Sequence, residues 1–121
     1  ASFLLENTDD KKAHIDQASF EVQLRKLICQ QLAGITLPDV AAYFHISIPY
    51  ASDLIRQITG SNFTALVLEE RMRESEKLLK NSNVPVSKVA LLSGYQEPSY
   101  FMKVFKKYFG CTPSQYRDSQ K

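Results

Sequence analysis

One short pattern occurs twice in this chain. Leu37, Val40 and Ala41 return as Val86, Val89 and Ala90. After one extra residue in the second copy, Tyr50, Leu54, Ile55, Arg56 and Gly60 return as Tyr100, Val104, Phe105, Lys106 and Gly110. A repeat of this kind fixes the architecture early, because each copy must be one supersecondary unit. The apolar spacing inside each copy is helical, with a short stretch, a tight turn and a longer amphipathic stretch. A small residue in the short stretch, Ala41 or Ala90, lets the second helix cross closely at a steep angle, which is helix-turn-helix geometry.

Start and stop signals frame the remaining elements. From Ser19, the residues Phe20, Leu24, Leu27, Ile28 and Leu32 recur at helical spacing, and Gly34 stops them. Thr36-Leu-Pro-Asp39 has the form of a capping box with proline in the first turn, and Ser47-Ile48-Pro49 opens the next helix. Between Asn62 and about Asn81, Phe63, Leu66, Val67, Ser75, Leu78 and Leu79 make one apolar face. Glu69, Glu70, Glu74 and Glu76 balance Arg71, Arg73, Lys77 and Lys80 on a solvated remainder. A short helix after Pro85, a turn at Gly94, a helix from Pro98 to Phe109 and a second capping box at Thr112 to Gln115 complete the chain.

The expected fold is all-α, with about seven helices and two helix-turn-helix subdomains joined by a connecting helix. Residues 1–16 read as a linker or the tail of an upstream domain, and residues 17–121 as one functional domain. The first helix-turn-helix spans about 36–60, the connecting helix about 62–81 and the second helix-turn-helix about 85–110. A connecting helix of roughly 20 residues is about 30 Å long. Successive major-groove faces on one side of B-DNA are roughly 34 Å apart. One chain can therefore address two adjacent grooves where most helix-turn-helix proteins need a dimer.

Charge and composition exclude several classes. The 121 residues, 44% of them hydrophobic, suffice for one real core. A net charge of +2 rules out a uniformly basic surface, but the charge is unevenly placed. Residues 84–121 carry Lys88, Lys103, Lys106, Lys107, Arg117 and Lys121 against Glu97 and Asp118, whereas residues 1–16 are acidic. Cys29 and Cys111 lie far apart and outside metal-ligand spacing, which fits a reducing cytoplasm. Cys29 reads as a buried residue of the first helix and Cys111 as a turn residue. His14 and His45 are isolated, so neither a metal site nor any other cofactor is expected. No stretch has the length of a membrane-spanning helix. No nucleophile-base pair, paired carboxylates or glycine-rich phosphate loop points to an enzyme. Phe101, Phe105, Tyr108, Phe109 and Tyr116 have the helical spacing of core packing, not of a platform for stacked bases.

Residues 94–117, GYQEPSYFMKVFKKYFGCTPSQYR, resemble the C-terminal signature of bacterial transcription regulators of the AraC/XylS family, which runs G-F, S-Y-F, F-K-K, G, T-P and Y-R. The resemblance extends back through Val86-Ser-Lys-Val-Ala90, Leu78-Leu79 and Arg71 to Leu37, and covers about residues 20–117. It implies sequence-specific binding of double-stranded DNA, with the second helix of each motif in the major groove. In the C-terminal copy it puts Pro98, Ser99, Met102 and Lys103 at base-contacting positions. Ser99 can donate or accept at a base edge, Met102 can pack on a thymine methyl, and Lys103 can reach guanine O6 or N7. Lys106 and Lys107, with Arg56 and Ser47 in the other copy, are the expected phosphate contacts.

The N-terminal copy departs from the family pattern S-x-x-x-L-x-R-x-F, with Ala51, Asp53 and Ile55 at the last three fixed positions. Ala51 and Ile55 shrink the core and call for compensation nearby. Pro49, Ser52 and Asp53 are its base-contacting positions, and an acidic residue there is repelled by phosphate unless it accepts from cytosine N4. The C-terminal motif is therefore expected to supply most of the affinity, and the N-terminal one shape or a narrow base preference. The resemblance further implies RNA polymerase as a partner, and an effector-binding or receiver domain upstream in the full-length protein. The competing expectation, which Asp53 and the modest net charge permit, is a helical protein-interaction module that has lost DNA binding.

Overall fold

The computed structural model describes residues 16–121, so all but the last residue of the expected linker, Phe3-Leu4-Leu5 and His14 included, lies outside the described residues. Seven helices and no strands occur among the described residues: α1 (Gln17–Gln30), α2 (Leu37–Phe44), α3 (Ile48–Thr59), α4 (Phe63–Asn81), α5 (Val86–Leu92), α6 (Pro98–Phe109) and α7 (Pro113–Ser119). They form two compact units. The first holds residues 16–30 and 35–67, and the second holds residues 31–34 and 68–121, so α4 contributes to both.

The helix ends follow from cap chemistry. Thr36 Oγ1 accepts from the Asp39 amide at 3.3 Å while the Thr36 amide donates back to the Asp39 carboxylate at 2.9 Å. Thr112 and Gln115 repeat this reciprocal box at the start of α7, at 3.1 and 2.9 Å. Each such cap is worth about 1 kcal/mol. Ser47 Oγ accepts from the Tyr50 amide at 3.2 Å, and Asn62 Oδ1 accepts from the Ala65 amide at 2.8 Å. Gly60 and Gly110 close α3 and α6 in the left-handed conformation, at φ 79° and 83°.

In the first unit, Phe20, Leu24, Leu27 and Ile28 of α1 are buried with Val40, Ala41 and Phe44 of α2 and Ala51, Leu54 and Ile55 of α3. Phe20 and Phe44 meet with their rings tilted by 43° and centroids 4.6 Å apart. Cys29 is exposed, contrary to the expectation that the first helix buries it. The buried stripe runs 20, 24, 27, 28. At about 100° per residue, position 29 falls on the opposite side of the helix from Phe20.

The second unit is built on aromatic rings. Phe101 and Phe105 are fully buried, and a chain of contacts runs from Tyr95 to Phe101 (5.5 Å), Phe105 (5.7 Å) and Phe109 (4.5 Å). Tyr116 meets Phe105 edge-on at 5.7 Å. Tyr108 departs from the expected core set: it remains 48% exposed and only its edge meets Phe109. α4 also buries more than its single expected face, since Met72 and the carboxylate-bearing Glu70 are buried beside Ser75 and Leu79. A one-face periodicity cannot anticipate this for a helix that packs in two units.

Candidate nucleic-acid interface

Each unit contains the same turn. The amide of Ile46 donates to the Ala41 carbonyl at 3.0 Å, and that of Tyr95 to the Ala90 carbonyl at 2.9 Å. Before each of these lies a left-handed residue, His45 at φ 58° and Gly94 at φ 100°. Two residues, Ile46 and Ser47, then lead into α3, whereas Tyr95, Gln96 and Glu97 lead into α6, which is where the extra residue of the second copy resides.

The two turns are not equally tolerant. A Cβ on Gly94 would stand 2.7 Å from the Leu32 carbonyl oxygen and 2.9 Å from its carbon, in addition to the strain of positive φ. Arg71 holds that carbonyl in place: its Nε donates to Leu32 O at 2.9 Å, and its guanidinium lies 4.9 Å from the centre of the Tyr95 ring. Burial pushes the Tyr95 phenol above its ordinary pKa, against the opposing pull of Arg71.

The turns orient α3 and α6 so that one face of each is buried and the other is open. On α6, Ser99, Met102, Lys103, Lys106 and Lys107 are exposed and Pro98 is half-buried, opposite Phe101 and Phe105. On α3, Pro49, Asp53 and Arg56 are exposed and Ser52 is half-buried, opposite Ala51, Leu54 and Ile55. Ser47 is exposed at the N-cap; its oxygen serves the Tyr50 amide while its hydroxyl hydrogen is available to a ligand. The repeat register pairs Pro49 with Ser99, Ser52 with Met102, Asp53 with Lys103 and Arg56 with Lys106. The centre of the open face is thus Pro49, Asp53 and Arg56 in one unit and Ser99, Lys103 and Lys106 in the other. α6 carries three lysines and no acid, and α3 carries one acid and one base.

Three exposed side chains on these faces escaped the sequence reading. Gln57 pairs with Lys107 in the register, Ile48 is 46% exposed at the start of α3, and Tyr100 is 60% exposed on α6. The register itself held the signal for Gln57 and Ile48. Tyr100 was legible only as the repeat partner of Tyr50 and as part of the S-Y-F motif, neither of which marks it as exposed.

The signature residues around the open face serve the fold. The Tyr116 hydroxyl donates to Glu76 Oε2 at 2.5 Å, and burial followed by this hydrogen bond holds the phenol above its ordinary pKa. Arg117, counted among the basic end of the chain, donates to the carbonyls of Val84 (2.6 Å), Leu79 (3.3 Å) and Leu78 (3.5 Å), so it closes the C-terminal turn of α4. Among the described residues, Lys103, Lys106 and Lys107 make no salt bridge.

A family model described as a helix-turn-helix domain matches residues 40–119. The Msm operon regulatory protein of Streptococcus mutans is 28% identical over 117 residues, which cover 96% of this chain and 40% of that protein. The HTH-type transcriptional activator FapR of Escherichia coli is 36% identical over 80 residues, 66% of this chain and 30% of that protein. The chain therefore spans well under half the length of these curated relatives. Among solved structures, the C-terminal domain of AraT, a response regulator from Geobacillus stearothermophilus, is similar with a TM-score of 0.75 and 31% identity, covering 83% of this chain and 84% of that one. The DNA-binding domain of AdpA in complex with a target DNA shares the fold, with a TM-score of 0.73 and 21% identity over 85% of this chain and 90% of that one. No helix of the described residues is long and apolar enough to cross a membrane.

Proposed function

The chain belongs to the AraC-type helix-turn-helix family of transcription regulators, and from that premise we propose that α3 and α6 read two adjacent major-groove segments of one duplex. Binding DNA and regulating transcription is the function of this domain. The observation that carries the two-groove reading is the duplicated turn with its duplicated open face. It is supported by the length of α4, whose 19 residues make a rod of about 28 Å against the roughly 34 Å groove repeat.

Under this reading Pro98, Ser99, Met102 and Lys103 address bases from α6, and Pro49, Ser52 and Asp53 address them from α3. Lys106, Lys107, Arg56 and Ser47 hold phosphates. Residues 17–121 are the DNA-binding domain, working in the cytoplasm, and residues 1–16 lead to it from an upstream effector or receiver domain. The share of the relatives' length that the chain covers supports that layout, as does the resemblance to the C-terminal domain of a response regulator. RNA polymerase is the proposed partner at the promoter, in keeping with a relative named as a transcriptional activator.

Selection of this chain on a random pool of duplex DNA, at low and at moderate salt, tests the reading. The expected result is a bipartite motif with half-site centres about one helical turn apart. Recovery of one short half-site would end the two-groove reading. Absence of enrichment at either salt, with salt-insensitive capture by a protein instead, would favour the interaction module.

A further inference from the structure

We infer that Asp53 is a specificity residue which selects a cytosine in the half-site read by α3. This inference rests on the proposal that α3 enters the major groove. Asp53 sits at the centre of the open face of α3, at the register position that Lys103 occupies in α6. Its side chain is exposed and makes no salt bridge of the kind that ties Glu69 to Arg73 on α4, even though Arg56 follows it by three residues on the same face. An ionised carboxylate only accepts hydrogen bonds.

Among the base edges in the major groove, only the amino groups of cytosine N4 and adenine N6 donate, and adenine places the N7 acceptor beside its amino group. Cytosine is thus the one base that offers a donor without an adjacent acceptor on the same ring. The negative charge of Asp53 also lowers affinity for every duplex that lacks this donor, because phosphate repels it uncompensated. Selectivity then comes from rejection as much as from attraction. Lys103 in the other unit does the converse, supplying a donor to guanine and attraction to any phosphate. The two halves of one site are therefore read with opposite chemistry at equivalent positions.

The test compares the unmodified chain with Asp53→Asn and Asp53→Ala by selection on random duplex DNA, followed by titration of the recovered site and its single-base variants. The unmodified chain is expected to discriminate against replacement of that cytosine by about tenfold or more, in line with roughly 1–3 kcal/mol for a good base contact. Asp53→Ala should bind non-cognate duplex more tightly and lose the preference at this one position. Asp53→Asn, which gains an amide donor beside its acceptor, should move the preference to adenine there and nowhere else. Enrichment by the unmodified chain with identical base preferences in all three proteins would overturn the inference and leave the two-groove reading standing. Uniformly tighter binding by Asp53→Ala without a change at any position would also overturn it, leaving Asp53 as a general repulsive charge. A lack of enrichment by the unmodified chain would overturn both.

Discussion

The two units fold around the same turn but distribute bulk in opposite ways. In the repeat register Phe44 corresponds to Ser93 and Ala51 to Phe101, and all four residues are fully buried. The first unit has its large ring at the end of the first helix and a methyl on the second, whereas the second unit has a hydroxymethyl at the cap just after its first helix and a ring on the second. The first unit thus sets its large ring, Phe44, against Phe20, where the second sets Phe101 against Tyr95 and Phe105. One motif can be filled from either side, provided the total volume is kept.

The largest expected effect comes from breaking this exchange. Phe101→Ala should destabilise the protein by about 3–5 kcal/mol, because a buried ring is lost and the cavity relaxes only partly. If positions 93 and 101 share one space, adding Ser93→Phe to that variant should restore at least about 1 kcal/mol, measured by urea unfolding. An additive loss in the double variant would show that the two positions fill separate spaces and that the symmetry lies in the sequence alone.

The turns give the next largest contrast. Gly94→Ala has to move the Leu32 carbonyl that Arg71 holds, as well as adopt positive φ, and should cost about 2–4 kcal/mol. His45→Gly, at the equivalent position of the first turn, should change stability by under about 1 kcal/mol in either direction, since the native residue already tolerates φ 58°. Similar melting temperatures for the two variants would mean that the Leu32 strap yields to the methyl group.

Much of this molecule was legible in its sequence, for identifiable reasons. Cap chemistry is local, so Thr36, Ser47, Gly60, Gly110 and Thr112 mark helix ends that the structure places at the same residues. The repeat was legible because each copy must solve the same packing problem. What escaped depends on contacts distant in sequence. Arg71 on Leu32 and Tyr95 and Arg117 on the end of α4 involve partners that no periodicity within one helix reveals. Cys29 was misplaced by attending to residue type instead of helical angle. For the interface, the signature showed where the open faces lie. Gly94, Phe101, Phe105, Thr112, Tyr116 and Arg117 all make that surface by folding, and the residues between them are the ones proposed to carry the readout.

The smallest contrast is the one most directly tied to binding. Every phosphate contact made by a lysine or arginine releases counterions, and it contributes about 0.9 to the slope of log affinity against log salt. α6 presents Lys106 and Lys107 beside Lys103, whereas α3 presents Arg56 next to a carboxylate. Replacing Lys106 and Lys107 by Ala should therefore lower the salt slope by about two. Arg56→Ala should lower it by at most about one, with base preferences unchanged in both variants. Neither change touches the core, since all three side chains are exposed, so thermal melting should be unaffected. Equal slope losses would mean that the two units grip the backbone alike, and that the acidic centre of α3 does not weaken its hold. A loss of base preference in the lysine variant would instead move Lys106 from the phosphates to a base edge, and α6 would then read a longer segment than α3.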